Sequence, residues 1–145
     1  MKVNIKNVEG LTFLAKGESN HWLTFDGPES FGGFNGASRP METLLMSFGA
    51  CTGSDVKSIV TKMRLPVNKF EIELNSEKAE EHPKVFKWIQ IKYKFWGDGL
   101  EDQTEKIEKA INLSQEKYCP IAAMLSHSVK IEHRYELNPD SESSN

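Results

Sequence analysis

Within the stretch "TLLMSFGACTGSDVKSIV", residues 43–60, two side chains could do chemistry together: Cys51 and, one helical turn further on, Asp55. A thiol serves as nucleophile, redox centre or metal ligand through its thiolate, whereas a buried free thiol is ordinary apolar filling. Thr52 and Ser54 give Cys51 more polar neighbours than a core cysteine needs. A carboxylate so close disfavours a second negative charge, so an activated Cys51 requires a cation brought from elsewhere. Cys119 stands directly before Pro120, where a helix can begin with its free N–H groups aimed back at the sulfur. That placement favours the thiolate, so on residue chemistry alone Cys119 is the more acidic of the two thiols. Packing is the competing role for each.

Glu42 precedes Cys51 by about two and a half helical turns, which on a straight helix puts it on the opposite face. Its simplest role is that of a first-turn acid suited to the helix dipole. Arg39, in the loop ahead, is one of three arginines, with Arg64 and Arg134. Held by Glu42, it could aim its planar fork at a thiolate or an oxyanion. His21, His82, His127 and His133 are scattered, and none has metal-ligand spacing with a cysteine, so no metal is expected. "FGGFNG" lacks the pattern of a phosphate loop and reads as a flexible loop, a lid.

The elements that must position these groups follow from periodicity. Residues 2–8, 11–16 and 21–26 are short runs rich in β-branched and aromatic residues, separated by turn signals, and predict an antiparallel meander. A Gly/Ser/Pro-rich loop leads to Pro40, well suited to a first helical turn, and a helix is expected from there to Met63. Leu45, Phe48, Thr52, Val56, Ile59, Val60 and Met63 recur at helical spacing, while Gly49, Ala50 and Gly53 leave room for another element to approach. Residues 67–80 and 84–97 alternate as a long hairpin, with Lys87, Lys92 and Lys94 marking a solvent face. Residues 100–118 form an amphipathic helix through Leu100, Ile107 and Ile111, ended by Pro120. A helical turn over 121–125 and a last strand complete the order, which argues α+β with antiparallel sheet. Residues 1–137 read as one domain, and "NPDSESSN", 138–145, as a disordered tail.

With 145 residues, 38% hydrophobic, the chain can bury one core. A net charge of −3, made of interspersed charges, argues against nucleic acid as a partner. No apolar run reaches the length of a signal-peptide core or a membrane span, so a cytoplasmic protein with no membrane partner is expected. In that reducing compartment two cysteines do not make a structural framework.

At "RPMETLLMSFGACTGSDVKSIV" and "LSQEKYCPIAAML" the chain resembles the OsmC/Ohr family of osmotically induced and organic hydroperoxide resistance proteins, in its OsmC-like branch. The pattern is carried by Pro40, Glu42, Leu44, Leu45, Cys51 and Cys119. The resemblance implies an intertwined homodimer, with sheets wrapped around a central buried pair of cysteine-bearing helices. It implies a peroxidase without a cofactor for small organic hydroperoxides, in which Cys51 attacks the O–O bond and becomes a sulfenic acid. Cys119 then condenses with it to a disulfide, which a dithiol reductant, such as one of lipoyl type, reopens. On this likeness Glu42 and Arg39 are the activating pair, and Leu44, Phe48, Phe31 and Phe34 are the apolar wall of the substrate site. Two other readings stay open: a non-catalytic member binding a small apolar or acyl ligand, and a cysteine hydrolase using His127 or His133 as base.

Overall fold

The computed structural model describes residues 1–140. The chain divides into two compact units, Met1–Met46 and Ser47–Asn145, whose boundary falls inside one long helix. Both sheets lie wholly within one unit or the other, and the α+β class is as expected.

In the first unit β1 (Asn4–Glu9), β2 (Thr12–Lys16) and β3 (Trp22–Phe25) form the expected antiparallel meander. Register places Ile5, Ala15 and Leu23 side by side on one face, next to Phe13 and Phe25. Ile5 and Leu23 are nevertheless 64% and 57% exposed, so this apolar face is largely uncovered in the single chain. On the other face the Lys6 and Lys16 amino groups lie 5.3 and 4.9 Å from the centre of the Trp22 ring, a cation–π arrangement.

The glycine-rich loop differs from the expected flexible lid. It is wound around the buried carboxylate of Asp26, which accepts hydrogen bonds from the backbone N–H groups of Gly27 (2.8 Å), Phe34 (2.9 Å) and Gly36 (2.9 Å). These bonds hold the Asp26 carboxyl below the usual carboxylate range, that from Gly36 foremost. Helix α1 (Pro40–Lys62) then begins on a proline, as the sequence predicts. Glu42 reaches back to accept the Arg39 N–H at 3.1 Å, one half of a capping box.

In the second unit β4 (Lys69–Lys78), β5 (Phe86–Trp96) and β6 (Lys130–Leu137) form a sheet in that order. The β4–β5 hairpin is antiparallel, but β6 pairs with β5 in parallel, Ile89 opposite Ile131 and Phe95 opposite Leu137. The sheet is therefore mixed, a departure from the wholly antiparallel expectation. A parallel partner needs a crossover of a dozen or more residues, and the two helices between β5 and β6 provide it. Ile89, Ile91, Tyr93 and Phe95 alternate along β5 and are all fully buried.

The expected wet face of β5 is a ladder of charges. Lys94 lies 2.9 Å from Glu73, while Lys92 reaches Glu73 at 3.7 Å and Glu136 at 3.4 Å, so ion pairs link all three strands. From α1, Phe48, Thr52, Val56 and Val60 are buried. Gly49 and Gly53 admit strand β4: a Cβ at Gly49 would stand 2.7 Å from the Leu74 Cδ1, and one at Gly53 2.6 Å from the Ile72 Cδ1. The element expected to approach these glycines is thus a strand of the same chain.

The predicted helix over 100–118 is three segments: a 3-10 turn (Leu100–Gln103), α2 (Thr104–Leu113) and a π-helical turn (Ser114–Tyr118). Leu100, Ile107 and Ile111 are buried as expected. Cys119 is extended, as a residue before proline should be, and α3 (Pro120–Leu125) follows. Of the expected tail, the Asn138 amide binds the Gly97 carbonyl (3.1 Å) and the Pro139 carbonyl accepts from the Trp96 indole (2.9 Å). Residues 141–145 lie outside the described residues.

Candidate active site

Cys51 and Asp55 sit at i and i+4 on α1 and so share one helix face. Cys119 comes from the junction between the π-helical turn and α3, where it is the N-cap residue. The two sulfurs and a carboxylate oxygen of Asp55 all lie within 4.8 Å of one another. Cys51 is half-buried, whereas Cys119 is buried, with 2% of its surface exposed.

Cys119 behaves differently from the sequence expectation. The Ala122 N–H does point at its sulfur, at 3.4 Å, as a helix start should. Burial outweighs that donor, and together with the neighbouring Cys51 it pushes the Cys119 thiol up to about 11. Cys119 is therefore a protonated thiol at neutral pH, against the expectation that its helix start favours the thiolate.

Behind the thiols lies a polar network that sequence reading did not find. The Thr52 hydroxyl, fully buried, lies 2.6 Å from the Tyr93 hydroxyl and 2.9 Å from that of Ser114. The Gln115 amide donates to both Thr52 (2.9 Å) and Tyr93 (2.7 Å). Ser114 in turn reaches Asp55 at 3.2 Å. With the Gln115 amide nitrogen facing both hydroxyls, donor and acceptor counting fixes the direction of the rest. Tyr93 donates to Thr52, whose two acceptor positions are then filled; Thr52 donates to Ser114, and Ser114 to the Asp55 carboxylate. Burial raises the Tyr93 hydroxyl to about 12, which keeps it a donor. The network fastens the π-helical turn to α1, and the Cys119 N–H, bonded to the Ser114 carbonyl at 2.9 Å, is carried with it.

The remaining expected site residues are placed as follows. Arg39 and Glu42 meet in the first unit, at 3.9 Å between guanidinium and carboxylate, both about half exposed; Asn35 also accepts from Arg39, at 3.4 Å. Phe48 is fully buried in the second unit, Leu44 is half-buried in the first, and Phe31 and Phe34 are 78% and 56% exposed there. A groove of about 410 Å³ opens beside Asp55, with Ile59, Met63, Leu113 and Tyr118 among its lining residues.

One signal for the network was present in the sequence: Thr52 interrupts the apolar stripe of α1, and a buried hydroxyl needs a partner. Its partners were not legible, because Ser114 and Gln115 are turned toward α1 by the π-helical turn.

An α+β scaffold carrying two thiols side by side, one half-exposed and one buried at a helix start, defines a small paired-thiol protein. The chain belongs to the OsmC-like protein family, whose model matches residues 33–134. Protein YhfA of Escherichia coli strain K12 is 40% identical over 137 residues, covering 94% of this chain and 98% of that protein. The crystal structure of a hypothetical protein from Aquifex aeolicus VF5 is 33% identical with a TM-score of 0.74, covering 95% of this chain and 97% of that one. An organic hydroperoxide resistance protein OsmC from Legionella pneumophila is 15% identical with a TM-score of 0.64, covering 94% and 97% of the two chains. At that identity the likeness is one of fold.

Proposed function

We propose that the protein is a thiol-dependent peroxidase that reduces organic hydroperoxides, with a role in defence against oxidative stress. The observation that carries this reading is the pairing of a half-exposed Cys51 with a buried Cys119, their sulfurs within 4.8 Å. Cys51, as thiolate, attacks the peroxide O–O bond; the alcohol leaves and Cys51 becomes a sulfenic acid. The Cys119 sulfur then attacks the sulfenic sulfur, and its own proton leaves with the displaced hydroxide as water. The product is a Cys51–Cys119 disulfide, which a dithiol reductant reopens by exchange, itself becoming oxidised. Asp55, close to both sulfurs, is proposed to relay that proton from Cys119 to the departing hydroxide. Arg39, oriented by Glu42, is the proposed cation that favours the Cys51 thiolate. The apolar side chains of the groove beside Asp55 suit the organic part of a peroxide.

The exposed Ile5 and Leu23 on the first sheet support a homodimer in which that face is covered, and sedimentation at several concentrations tests it. No helix among the described residues is long and apolar enough to cross a membrane; a cytoplasmic location is part of the proposal. The rival reading, a ligand-binding member with inert thiols, is favoured by Asp55, because a carboxylate beside two thiols opposes further negative charge.

Thiol counting by mass spectrometry separates the two. After one equivalent of cumene hydroperoxide, rapid loss of both thiols to a Cys51–Cys119 disulfide, faster than with hydrogen peroxide, is the expected result. Two free thiols after minutes, or full turnover by a Cys51→Ser variant, would refute the peroxidase.

A further inference from the structure

We propose that in the reduced protein Cys51, Asp55 and Cys119 form a binding site for one Zn²⁺ ion, with a water molecule as the fourth ligand. Three ligand atoms, two sulfurs and a carboxylate oxygen, converge within 4.8 Å of one another from separate parts of the second unit. A tetrahedral zinc with bonds of about 2.3 Å to sulfur and about 2.0 Å to oxygen holds its ligands about 3.5–3.8 Å apart. The observed cluster closes to that geometry by movements of about 1 Å, within the reach of side-chain rotation. Two thiolates with one carboxylate select zinc over magnesium or calcium, which demand oxygen ligands.

The surroundings are those of a prepared ligand set. Ser114 fixes one Asp55 oxygen at 3.2 Å, and the Ala122 N–H supports the Cys119 sulfur at 3.4 Å. Outer hydrogen bonds of this kind orient metal ligands. Cys51 is half-buried, so an ion has a path in and a water has room to complete the shell. The sequence concealed the site because its cysteines are far apart and no histidine takes part; only the meeting of α1 with the α2–α3 junction assembles it.

Binding replaces two thiol protons with the metal, releasing both to solvent, and it joins α1 to the start of α3. Occupied, the site holds both sulfurs as zinc-bound thiolates, which attack a peroxide more slowly than a free thiolate. This control of reactivity rests on the peroxidase reading, whereas zinc binding itself does not. Oxidation reverses the binding: a zinc dithiolate, one hydroperoxide and two protons give the disulfide, Zn²⁺, an alcohol and water. The peroxide is reduced, the two sulfurs are oxidised, and the ion is expelled because a disulfide cannot hold it.

The test is titration of the reduced, metal-free protein with Zn²⁺ against a chromogenic chelator, with Co²⁺ as a spectroscopic probe. One Zn²⁺ per chain is expected, and the Co²⁺ complex should show a sulfur-to-cobalt charge-transfer band with tetrahedral visible absorption. Cys51→Ser and Cys119→Ser should each weaken Zn²⁺ binding by about 100-fold or more, and Asp55→Asn by about 10-fold. Disulfide-oxidised protein should bind none at this site. The Co²⁺ spectrum needs no variant, so a misfolded substitution does not decide the matter. Absence of both Zn²⁺ uptake and the charge-transfer band, or unchanged affinity in the Cys51→Ser/Cys119→Ser double variant, overturns the proposal. Zinc uptake by a protein that leaves peroxides untouched sinks the peroxidase alone, and peroxide turnover without zinc uptake sinks this site alone.

Discussion

Replacing Thr52 by valine keeps the shape of the side chain and removes the hydroxyl at the centre of the buried network. Three hydrogen bonds go at once, to Tyr93, Ser114 and Gln115. Tyr93 is left with an O–H in a fully buried place and no acceptor in the network, which costs about 1–3 kcal/mol. One Gln115 N–H, half-buried, loses its acceptor for about 1 kcal/mol more. A total loss of about 2–4 kcal/mol is expected. Tyr93→Phe deletes the O–H itself and should cost about 1–2 kcal/mol, because Thr52 loses an incoming donor and one half-buried Gln115 N–H loses its acceptor. In the double variant the orphaned donor no longer exists, so the loss should stay near that of Thr52→Val alone. The coupling between the two sites is then about 1–2 kcal/mol. Urea unfolding of all four proteins at one chain concentration measures it, with unchanged m-values showing that the same transition is compared. Thr52→Ser, which keeps the hydroxyl, should recover most of the loss. Losses that add within about 0.5 kcal/mol would show that Tyr93 and Thr52 are not bonded as the geometry requires.

Iodoacetamide on the native reduced protein should alkylate Cys51 well before Cys119, as followed by peptide mass spectrometry, because Cys119 is buried and held as a thiol. Glu73 is held down to about 2, chiefly by its hydrogen bond from Lys94, so it binds its proton later than in the unfolded chain. Its contribution is complete above about pH 4.5 and lost as pH falls toward 2, and Glu73→Gln should flatten that part of the acid-unfolding curve. Gly53→Ala should change stability by no more than about 1 kcal/mol, since helix propensity rises while only the end of the Ile72 side chain must move. Gly97→Ala should cost about 2 kcal/mol or more, because its Cβ would overlap the backbone carbonyl of Pro66; equal thermal stability of the two variants would contradict this packing. Asp26→Asn should speed proteolytic cleavage within residues 27–38, and cleavage at the parental rate would mean that the loop does not depend on the carboxylate.

Elements with strong periodicity were legible because a single pattern decided them. The apolar stripe of α1 and the alternation from Ile89 to Phe95 correspond to buried faces. The pairing sense of β6 was not legible, since its residues suit either direction and only the crossover through α2 and α3 decides. Asp26 was legible only as the end of the predicted strand 21–26, because its role depends on three N–H groups supplied by later residues. At the thiols, residue types identified Cys51, Asp55 and Cys119 as worth attention. The acidity of Cys119 was not legible, because a helix start can be recognised in sequence but the burial that opposes it cannot.

The π-helical turn makes the site depend on a count of residues. Its Cys119 N–H bonds five residues back, to Ser114, where an α-helix would bond four back. Removing one residue between Leu113 and Cys119 would let the segment relax to α geometry and close the wide turn that holds Ser114 and Gln115 against α1. The exposed Glu116 and Lys117 can therefore change identity freely, provided their number does not. The angular phase of this short segment determines whether two cysteines distant in the chain share a reaction or merely share a core.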